Sequence, residues 1–571
     1  MPVLNVEIAE IFREVADLLE IAEANPFRVR AYRNAARTIE TLPRSAHTMV
    51  AEGEDLTKLS GIGEDLAAKI EEIVKTGGLK QLEKLEQRTP AELADMLDVS
   101  GLGPKRVARL HETLGIETLD ELKAAAEQEE IETLHGFGEK TQAKILQSLR
   151  EQKEEKRTRL DIAEQTAQPL VRYLKQGPDV QEAIVAGSYR RRKETVGDLD
   201  ILVISESGTE AMAYFVDYED VDEILSQGET RATVVLRSGM QVDVRVVAQE
   251  SYGAALLYFT GAKAHTIHLR DMALDRGWKV NEYGVFKDQE RIVGESEEEI
   301  YALFDLPFIP PELREDRGEI AAGQAGNLPD LITLDDIRGD LQTHTTASDG
   351  KASLEAMARA VQERGYAYFA VTDHSAHVGV IQGLDAGELA RRIDEIAALD
   401  EKLASFRLLA GIEVDILKDG TLALPDDVLA RLDVCVCSVH THFDLPHDQQ
   451  TERIIRALDN LHVHILAHPT GRRINERRPY AVDMERLIGA AKERGCYLEI
   501  NANPERLDLN ARHARMAKEM GLKLAISTDA HSVSGLDFMR FGVNQARRGW
   551  LATEDVLNTR SWEALQKLLE R

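Results

Sequence analysis

Three aspartates have the type and spacing of a metal-binding acid cluster. Asp198 and Asp200 stand two residues apart in DLDILVI, and Asp243 lies in QVDVRVV. Both segments have the pattern of strands, so Asp198 and Asp200 share one face of a predicted strand and Asp243 lies on a neighbouring one. Converging carboxylates are hard oxygen ligands that suit two Mg²⁺ ions, which activate a hydroxyl and stabilise a leaving phosphate. The pattern favours phosphoryl or nucleotidyl transfer, with solvated strand-end aspartates as the alternative.

A basic turn precedes these aspartates. Gly187 and Ser188 follow a strand-like segment, and four basic residues, Arg190 to Lys193, come next. We expect a strand-to-helix turn whose backbone N–H groups, hydroxyl and guanidinium groups hold a triphosphate. A basic turn on the surface is the alternative.

Histidines and carboxylates recur at the ends of strand-like segments after residue 335. The carboxyl ends of parallel strands meet at one end of a sheet or barrel, so these side chains are expected to cluster. Mixed nitrogen and oxygen ligation suits Zn²⁺, Mn²⁺ or Fe²⁺ and provides a bound hydroxide for attack on a phosphate ester. The residues at these positions are His344, Asp349, Asp373, His374, Glu413, His440, His442, His468, Asp529 and His531.

A short motif occurs three times in the first part of the chain, as LSGIGEDLAAKI, VSGLGPKRVARL and LHGFGEKTQAKI. Each copy places a Gly-apolar-Gly turn before a short amphipathic helix, which leaves bare backbone N–H groups at the helix start. Such groups bind phosphate. We therefore expect these helix-hairpin-helix repeats to bind phosphate groups, such as those of DNA, through Gly61, Gly63, Gly101, Gly103, Gly136 and Gly138.

The periodicity of the chain predicts a multidomain protein of α and α/β type. Helical patterns precede a mixed β-sheet with helices, and a Pro- and Gly-rich stretch separates that part from alternating strands and helices typical of a parallel sheet or barrel. The predicted boundaries are 1–85 and 86–155 (helical), 156–250 (palm-like sheet), 251–318 (a mixed segment), 319–335 (linker) and 336–571 (β/α).

Composition limits the class of protein. The 571 residues include 43% hydrophobic and 30% charged residues, which is typical of globular domains. The amino terminus is amphipathic rather than signal-like, and no apolar stretch is long enough to cross a membrane, so we expect a cytoplasmic protein. The three cysteines suit buried thiols. The formal net charge of -30 argues against a broad polyanion-binding surface.

The order of the amino-terminal motifs resembles the family X DNA polymerases over residues 1–318. Segment 187–202 resembles the nucleotidyltransferase signature of that family, and YFTG at 258–261 matches its sugar-binding segment. The resemblance implies a palm and a thumb, and Mg²⁺ or Mn²⁺ held by the catalytic residues Asp198, Asp200 and Asp243. It also implies nucleotide binding by Gly187, Ser188, Arg191, Tyr258, Phe259 and Gly261, and a template contact by Arg270.

Lys69 aligns with the lysine by which that family removes a 5' sugar phosphate. A nucleophilic lysine needs a lowered pKa, and the neighbouring acids Glu64, Asp65, Glu71 and Glu72 have the opposite effect. We therefore expect Lys69 to be structural or to contact phosphate.

The histidine series resembles the PHP (polymerase and histidinol phosphatase) domain over residues 336–571. The resemblance implies a distorted β/α barrel with two to three Zn, Mn or Fe ions and a bridging Glu413. The family pattern begins with His-x-His, whereas Gln342 occupies the first position here, so one ion is expected to be held more weakly. Arg472 and Arg473 either steady a substrate phosphate or form a basic loop. The implied ligands are His344, Asp349, His374, Glu413, His440, His468, Asp529 and His531.

Together these resemblances imply a repair polymerase that fills short gaps and carries a 3'-5' exonuclease or 3'-end and abasic-site phosphodiesterase. The expected partners are gapped duplex DNA, primer ends and dNTPs, without a membrane, and the expected state is a monomer. Two alternatives remain. One is a small-molecule phosphatase similar to histidinol phosphatases, with a non-catalytic DNA-binding part. The other is a non-enzymatic platform for DNA ends.

Overall fold

The structure is a computed structural model of the full chain. It describes residues 157–376, 383–403 and 406–571, and within residues 1–156 all except 1, 2, 4, 23, 41, 43–45, 60, 87–89, 91, 100, 101, 129, 135, 136, 139, 140, 143 and 147–156. The chain forms two compact units. One contains residues 1–158, 218–222 and 235–240, and the other contains residues 159–217, 223–234 and 241–571.

The first unit is built from short amphipathic helices around two apolar cores. Gly63 and Gly103 lie at the N-caps of two of these helices, and Gly77 and Gly115 end the same helices in the left-handed conformation. The described helices are Asn5–Ile21, Pro26–Glu40, Ala46–Ala51, Glu64–Thr76, Lys80–Glu86, Glu92–Asp95, Pro104–Leu114 and Leu119–Glu127.

The repeat glycines fall partly within this description. Gly61 has a φ of +75°, as a tight turn requires, and Gly63 and Gly103 precede helices whose first N–H groups have no side-chain cap. Gly138 accepts a hydrogen bond from the N–H of Gln142. Gly101 and Gly136 lie outside the described residues.

The palm contains a five-stranded mixed sheet. Its strands lie in the order β2 (Val180–Val185), β4 (Asp198–Ser205), β7 (Gln241–Val247), β6 (Arg231–Leu236) and β5 (Val221–Gln227), with β4 and β7 parallel. A turn at 237–240 joins β6 to β7, as the sequence predicts. The helices here are Leu160–Leu174, Gly187–Arg190 and Gly208–Val216. Two further strands, β1 (Thr158–Arg159) and β3 (Thr195–Val196), form a separate two-stranded sheet.

The thumb follows, with helices Tyr252–Thr260, Lys263–Asp275 and Glu297–Leu303 and a three-stranded antiparallel sheet. Its strands are β8 (Lys279–Asn281), β9 (Gly284–Lys287) and β10 (Glu290–Val293). The segment predicted as a linker contains the helix Glu319–Gln324, and the buried Glu319 accepts hydrogen bonds from the N–H groups of Asp316 and Arg317. Pro and Gly content therefore indicated a loop where tertiary contacts support a helix.

The carboxyl-terminal part is a parallel β/α barrel with seven strands in sequential order. A parallel bridge between Thr343 and Ala530 joins the segments that follow its first and last strands, which nearly closes the barrel and confirms the predicted fold class. Its helices are Leu354–Glu363, Ala386–Asp400, Asp426–Leu429, His447–Leu458, Met484–Glu493, Ala511–Glu519, Met539–Arg548 and Trp562–Leu569. The strands are β11 (Gly339–Asp340), β12 (Tyr368–Val371), β13 (Arg407–Asp415), β14 (Val434–Ser438), β15 (Ile465–Leu466), β16 (Tyr497–Asn501) and β17 (Leu524–Ser527).

The barrel strands are buried on both faces, as expected of parallel strands covered by helices. Cys435, Cys437 and Cys496 are buried free thiols, as their apolar sequence context indicated. Among the described residues, no helix combines the length and the apolar character that a membrane span requires.

Replacing Gly339 by alanine is expected to destabilise the barrel by about 1–3 kcal/mol. A Cβ atom on Gly339 would lie 2.3 Å from the ring of Tyr368, which is fully buried. Gly489 is a matched control, because the nearest atom to its added Cβ lies 3.9 Å away, inside the helix Met484–Glu493. Urea unfolding of both variants measures the difference, and equal stability of the two variants would contradict the expectation.

Candidate active sites

Three palm carboxylates lie side by side at the centre of the sheet. Asp200 on β4 is the register partner of Asp243 on the parallel strand β7, and Asp198 shares its face two residues earlier. Burial, together with the charges of Asp198 and Asp243, raises the pKa of Asp200 to about 7. A group of acids that resists ionisation in this way is suited to bind divalent cations, which favour the charged form.

Three side chains donate hydrogen bonds to Asp243. Its carboxylate accepts hydrogen bonds from Thr233 Oγ1 (2.7 Å), Gln241 Nε2 (2.9 Å) and Arg231 Nη2 (2.9 Å). Burial opposes ionisation, but these hydrogen bonds outweigh it and lower the pKa of Asp243. The ionised form of Asp243 is therefore favoured, next to the more easily protonated Asp200.

The predicted strand-to-helix turn is present directly beside these acids. The short helix Gly187–Arg190 follows β2, and the N–H of Ala186 donates to the carbonyl of Asp200 at 2.7 Å. Gly187 has a φ of +59°, and a Cβ atom there would lie 2.4 Å from Asp200 Oδ2. Only glycine allows the turn to approach the carboxylate this closely. Ser188 lies half-buried in the first turn of the helix.

Arg190 and Arg191, which follow the turn, differ in their hydrogen-bond partners. Arg190 forms a bidentate ion pair with Glu297 of the thumb at 2.9 and 2.7 Å. Arg191 donates through Nε to Glu315 at 3.1 Å and through Nη1 to the carbonyl of Thr260. Its Nη2 has no hydrogen-bond partner among the described residues. Arg191 therefore retains a donor for an anionic ligand, whereas Arg190 joins the palm to the thumb.

The YFTG segment ends the helix Tyr252–Thr260 next to Arg191. The rings of Tyr258 and Phe259 meet edge to face at 5.1 Å, and the guanidinium of Arg245 lies 4.5 Å from the centre of the Phe259 ring. A Cβ atom on Gly261 would lie 3.2 Å from Arg191 Nη1. The segment predicted to bind sugar thus adjoins the arginine predicted to bind triphosphate. Arg270 is exposed on the helix Lys263–Asp275.

Glu413 is the centre of the histidine cluster in the barrel. Its Oε1 lies 3.0 Å from His468 Nε2 and 3.3 Å from His440 Nε2, and its Oε2 lies 3.3 Å from His344 Nε2 and 3.4 Å from His374 Nδ1. Both carboxylate oxygens therefore face two imidazoles each, which is the arrangement of a bridging ligand.

The remaining predicted ligands complete the cluster. Asp529 Oδ1 lies 3.1 Å from His344 Nε2, and Asp349 lies 3.6 Å from His374 and 3.3 Å from His531. Every one of the eight predicted ligands thus lies in a single connected cluster. Three overlapping groups have ligand atoms close enough to share an ion: His344, Asp349, His374 and His531; His374, Glu413 and His440; and His344, Glu413 and Asp529.

The electrostatics of two residues in the cluster suit cations, whereas the nearby carboxylates raise the pKa values of His344 and His440 despite burial. Burial lowers the pKa of His374 to about 4, so its ring is neutral near pH 7 and has a lone pair to donate. Despite burial, the surrounding imidazoles hold the pKa of Glu413 well below its usual range. Neutral imidazole and ionised carboxylate are the forms that bind a metal ion.

Two aspartates support the ligands and were not assigned these roles from the sequence. Asp415 Oδ1 lies 2.9 Å from His440 Nδ1, which orients the other ring nitrogen toward Glu413. Asp373, a strand-end residue, accepts from the N–H of Thr345 at 2.7 Å and from Ser348 Oγ at 2.9 Å, so it shapes the loop before Asp349. The spacing of Glu413 and Asp415 on one strand was the available signal for the first role.

Gln342 stands where the PHP pattern has its first histidine. The residue is fully buried, and neither Oε1 nor Nε2 has a hydrogen-bond partner among the described residues. The backbone carbonyl of Gln342 accepts a hydrogen bond from the N–H of Asp529 at 3.0 Å, so the residue lies beside the cluster. Buried amide groups are normally paired, and the orphaned Oε1 fits a weak oxygen ligand.

Arg472 and Arg473, which follow His468, form ion pairs with carboxylates of this chain. Arg472 is buried and forms a bidentate ion pair with Glu194 of the palm at 2.9 and 2.7 Å. Arg473 pairs with Glu476 at 2.8 Å and with Glu505. Arg472 therefore neither forms an exposed loop nor reaches toward substrate, because a carboxylate from a distant part of the chain occupies it.

Lys69 lies in the helix Glu64–Thr76 of the first unit. Its Nζ pairs with Asp65 and lies 5.9 Å from the centre of the Tyr32 ring. The amine of Lys69 is therefore engaged by a carboxylate one turn earlier in its own helix.

Five family models match the chain in sequence. A helix-hairpin-helix domain matches residues 3–79, a SAM-like helix-hairpin-helix tandem residues 93–151, and a DNA polymerase beta palm residues 156–244. A DNA polymerase beta thumb matches residues 255–315, and a PHP domain matches residues 340–503.

Curated relatives fall into two kinds. Probable phosphatases of Thermoanaerobacter sp. (strain X514) and Caldanaerobacter subterraneus are 31% and 30% identical, over 38% and 34% of this chain and 90% and 75% of their own lengths. The DNA polymerase/3'-5' exonuclease PolX of Bacillus subtilis (strain 168) is 39% identical over 570 residues, 99% of this chain and 99% of that protein. The chain therefore belongs to the family X DNA polymerases that carry a carboxyl-terminal PHP domain.

Proposed function

We propose that the protein is a DNA repair polymerase that fills short gaps by template-directed nucleotidyl transfer and trims 3' ends with a 3'-5' exonuclease in the same chain. The observation that carries the proposal is that one chain contains both the cluster of palm aspartates and the cluster of histidines and carboxylates in the barrel. The Bacillus relative, which is matched from end to end, is named for both activities.

In the polymerase site, Asp198, Asp200 and Asp243 would hold two Mg²⁺ or Mn²⁺ ions. When bound, these ions supply activation of the primer 3' hydroxyl and neutralise charge on the leaving phosphate. Ser188, Arg191 and the N–H groups after Gly187 bind the triphosphate of the dNTP. Tyr258, Phe259 and Gly261 line the pocket for its sugar, and the closeness of Gly261 to Arg191 supports this role.

In the barrel, two to three ions of Zn, Mn or Fe would be held by the eight clustered ligands, with Glu413 bridging. When bound, the ions supply a hydroxide for attack on the terminal phosphodiester. Asp415 holds the tautomer of His440, and Asp373 holds the loop that carries Asp349. The same chemistry extends to 3'-blocked ends and abasic sites.

Gapped duplex DNA and primer ends are the proposed macromolecular partners of a monomeric enzyme. The helix starts after Gly63 and Gly103 bind backbone phosphates, together with the other repeat glycines Gly61, Gly101, Gly136 and Gly138. Arg270 contacts the template. Because the net charge is -30, we expect weak, local contacts to phosphates and strand ends, with low processivity, rather than a broad basic surface.

Extension and trimming of a labelled primer on a one-nucleotide gap test the proposal directly. With Mg²⁺ or Mn²⁺ and the matching dNTP, the purified chain is expected to lengthen the primer by one nucleotide. Without dNTP, it is expected to shorten a single-stranded 3' end. Failure to extend rejects the polymerase function, and failure to shorten rejects the exonuclease.

A small-molecule phosphatase is not favoured as the overall function. The phosphatase relatives match only about a third of this chain, within the barrel part of the architecture. The palm acids and the helix-hairpin-helix domains have no role in hydrolysis of a metabolite. We also propose the domain division 1–85, 86–155, 156–250, 251–318, 319–335 and 336–571, which the matched ranges support.

Replacing Gln342 by histidine is expected to strengthen binding of the weakest barrel ion by about tenfold or more, because imidazole is a better ligand than an amide oxygen. Titration with Zn²⁺ or Mn²⁺, followed by elemental analysis after gel filtration, measures the stoichiometry. Gln342→Leu is the control, since it keeps the volume and removes the oxygen. An unchanged ion content in both variants would show that Gln342 is not a ligand.

A further inference from the structure

The segment that follows the proposed nucleotide-binding turn is held by residues of the barrel. The Glu194 carboxylate accepts both Nη atoms of Arg472, at 2.9 and 2.7 Å, and Gln545 Nε2 at 2.9 Å. The carbonyl of Arg191 accepts from Arg548 Nη1 at 2.6 Å. Both ends of the short segment 191–194 are therefore fixed by side chains more than 270 positions away in the sequence.

The barrel side of these contacts is shielded from water, whereas the Glu194 side chain itself is 32% exposed. The side chains of Arg472 and Arg548 are 10% and 7% exposed, and Gln545 is buried. Burial opposes ionisation of Glu194, yet the Arg472 guanidinium and Gln545 lower its pKa. A bidentate, charge-assisted pair in such surroundings restricts the carboxylate to one geometry.

One carboxylate connects this anchor to the guanidinium of Arg191. Glu315 accepts from Arg191 Nε at 3.1 Å and from Arg548 at 3.2 and 3.3 Å. Arg548 thus binds both the backbone of Arg191 and the carboxylate that orients its side chain. The direction of Arg191 Nη2, the donor left for a triphosphate, depends on this barrel arginine.

The other side of the anchor reaches the proposed exonuclease site. Arg472 follows His468 by four residues and donates to the carbonyls of Arg506 (2.9 Å) and Leu507 (2.5 Å). Arg506 Nε lies 3.5 Å from Oδ2 of the ligand Asp529. The polymerase turn and the loops around the barrel ligands therefore share a single ion pair.

We infer that Glu194 is a positioning residue of the polymerase, through which Arg472 and Gln545 of the PHP domain hold Arg191 for the incoming nucleotide. The PHP domain is then a structural part of the nucleotide site as well as a nuclease. The inference rests on the proposed polymerase function. It assigns to Glu194 no contact with substrate.

The test compares Glu194→Gln with wild type in single-nucleotide gap filling by the full chain. The variant keeps the side-chain shape and loses the charge. Its KM for dNTP is expected to rise about fivefold or more while kcat changes little, because only nucleotide positioning is affected. Exonuclease activity and the unfolding temperature of the same sample report that the barrel is intact.

Arg547→Gln is the matched control, since Arg547 lies in the helix Met539–Arg548 beside Gln545 and Arg548 but pairs with Glu312 of the thumb at 2.8 Å, away from segment 191–194. Its KM for dNTP is expected to stay within about twofold of wild type. In a double-mutant cycle, Glu194→Gln and Arg472→Gln are expected to raise KM less than additively. An unchanged KM in Glu194→Gln, or an equal rise in Arg547→Gln, overturns the inference. A wild-type chain that neither extends primers nor binds dNTP overturns the proposed function itself.

Discussion

Primer extension is expected to fall by about a thousandfold or more when Asp198 and Asp200 are both replaced by alanine, since several kcal/mol of transition-state stabilisation by the metal ions are lost. Asp243 alone then remains, held by Thr233 and Gln241, and one carboxylate does not fix two ions. The measurement is single-turnover extension on a one-nucleotide gap with Mg²⁺ or Mn²⁺.

Two controls separate this effect from loss of the fold. Glu210→Ala removes an exposed carboxylate from the same domain and is expected to leave extension unchanged. The double variant is also expected to keep the 3' trimming activity of the barrel, because none of the eight clustered ligands belongs to the palm. Unchanged extension after the double replacement would reject the assignment of the palm acids.

Loss of 3' trimming is the second large effect, expected when His344 and His374 are both replaced by alanine. Each of the three candidate ion groups contains at least one of these two residues. Removal of both therefore weakens every ion position, and we expect a loss of about a thousandfold or more in trimming together with a lower bound-metal content. Elemental analysis and a labelled single-stranded substrate measure the two effects.

His462→Ala is the matched control, because His462 precedes β15 at the end opposite His468 and contributes to none of the three groups in the described chain. His344 is fully buried, so its replacement also creates a cavity. His531→Asn, at a half-exposed ligand, provides a second variant with little effect on packing. Trimming that survives in both ligand variants would contradict the proposed nuclease site.

Both clusters could be predicted from the sequence because each residue type occurs at a recognisable position within a strand or at its end. Asp198 and Asp200 share a strand, so alternation alone places them on one face. The barrel ligands follow strand ends, and parallel strands bring those ends together whatever the length of the intervening helices. The fold class and the family followed from the same local patterns.

The residues that join the domains could not be predicted in this way. Glu194 and Arg472 are 278 positions apart, and each alone has the pattern of an ordinary exposed charge. Only the packing of the palm on the barrel buries Arg472 and pairs it with the partly exposed Glu194. The same holds for Glu319 in the predicted linker, whose burial depends on the thumb residues around it.

The bridge between Thr343 and Ala530 has a consequence for incomplete chains. His344 and Asp349 lie at the start of the barrel sequence and Asp529 and His531 lie near its end, so the nuclease cluster is assembled across the seam where the barrel closes. A nascent or proteolytically clipped chain that lacks residues after 528 is missing a ligand in two of the three ion groups. We therefore expect such a partial chain to bind fewer ions and to lose 3' trimming, because the cluster is complete only when the segment after the last barrel strand is present.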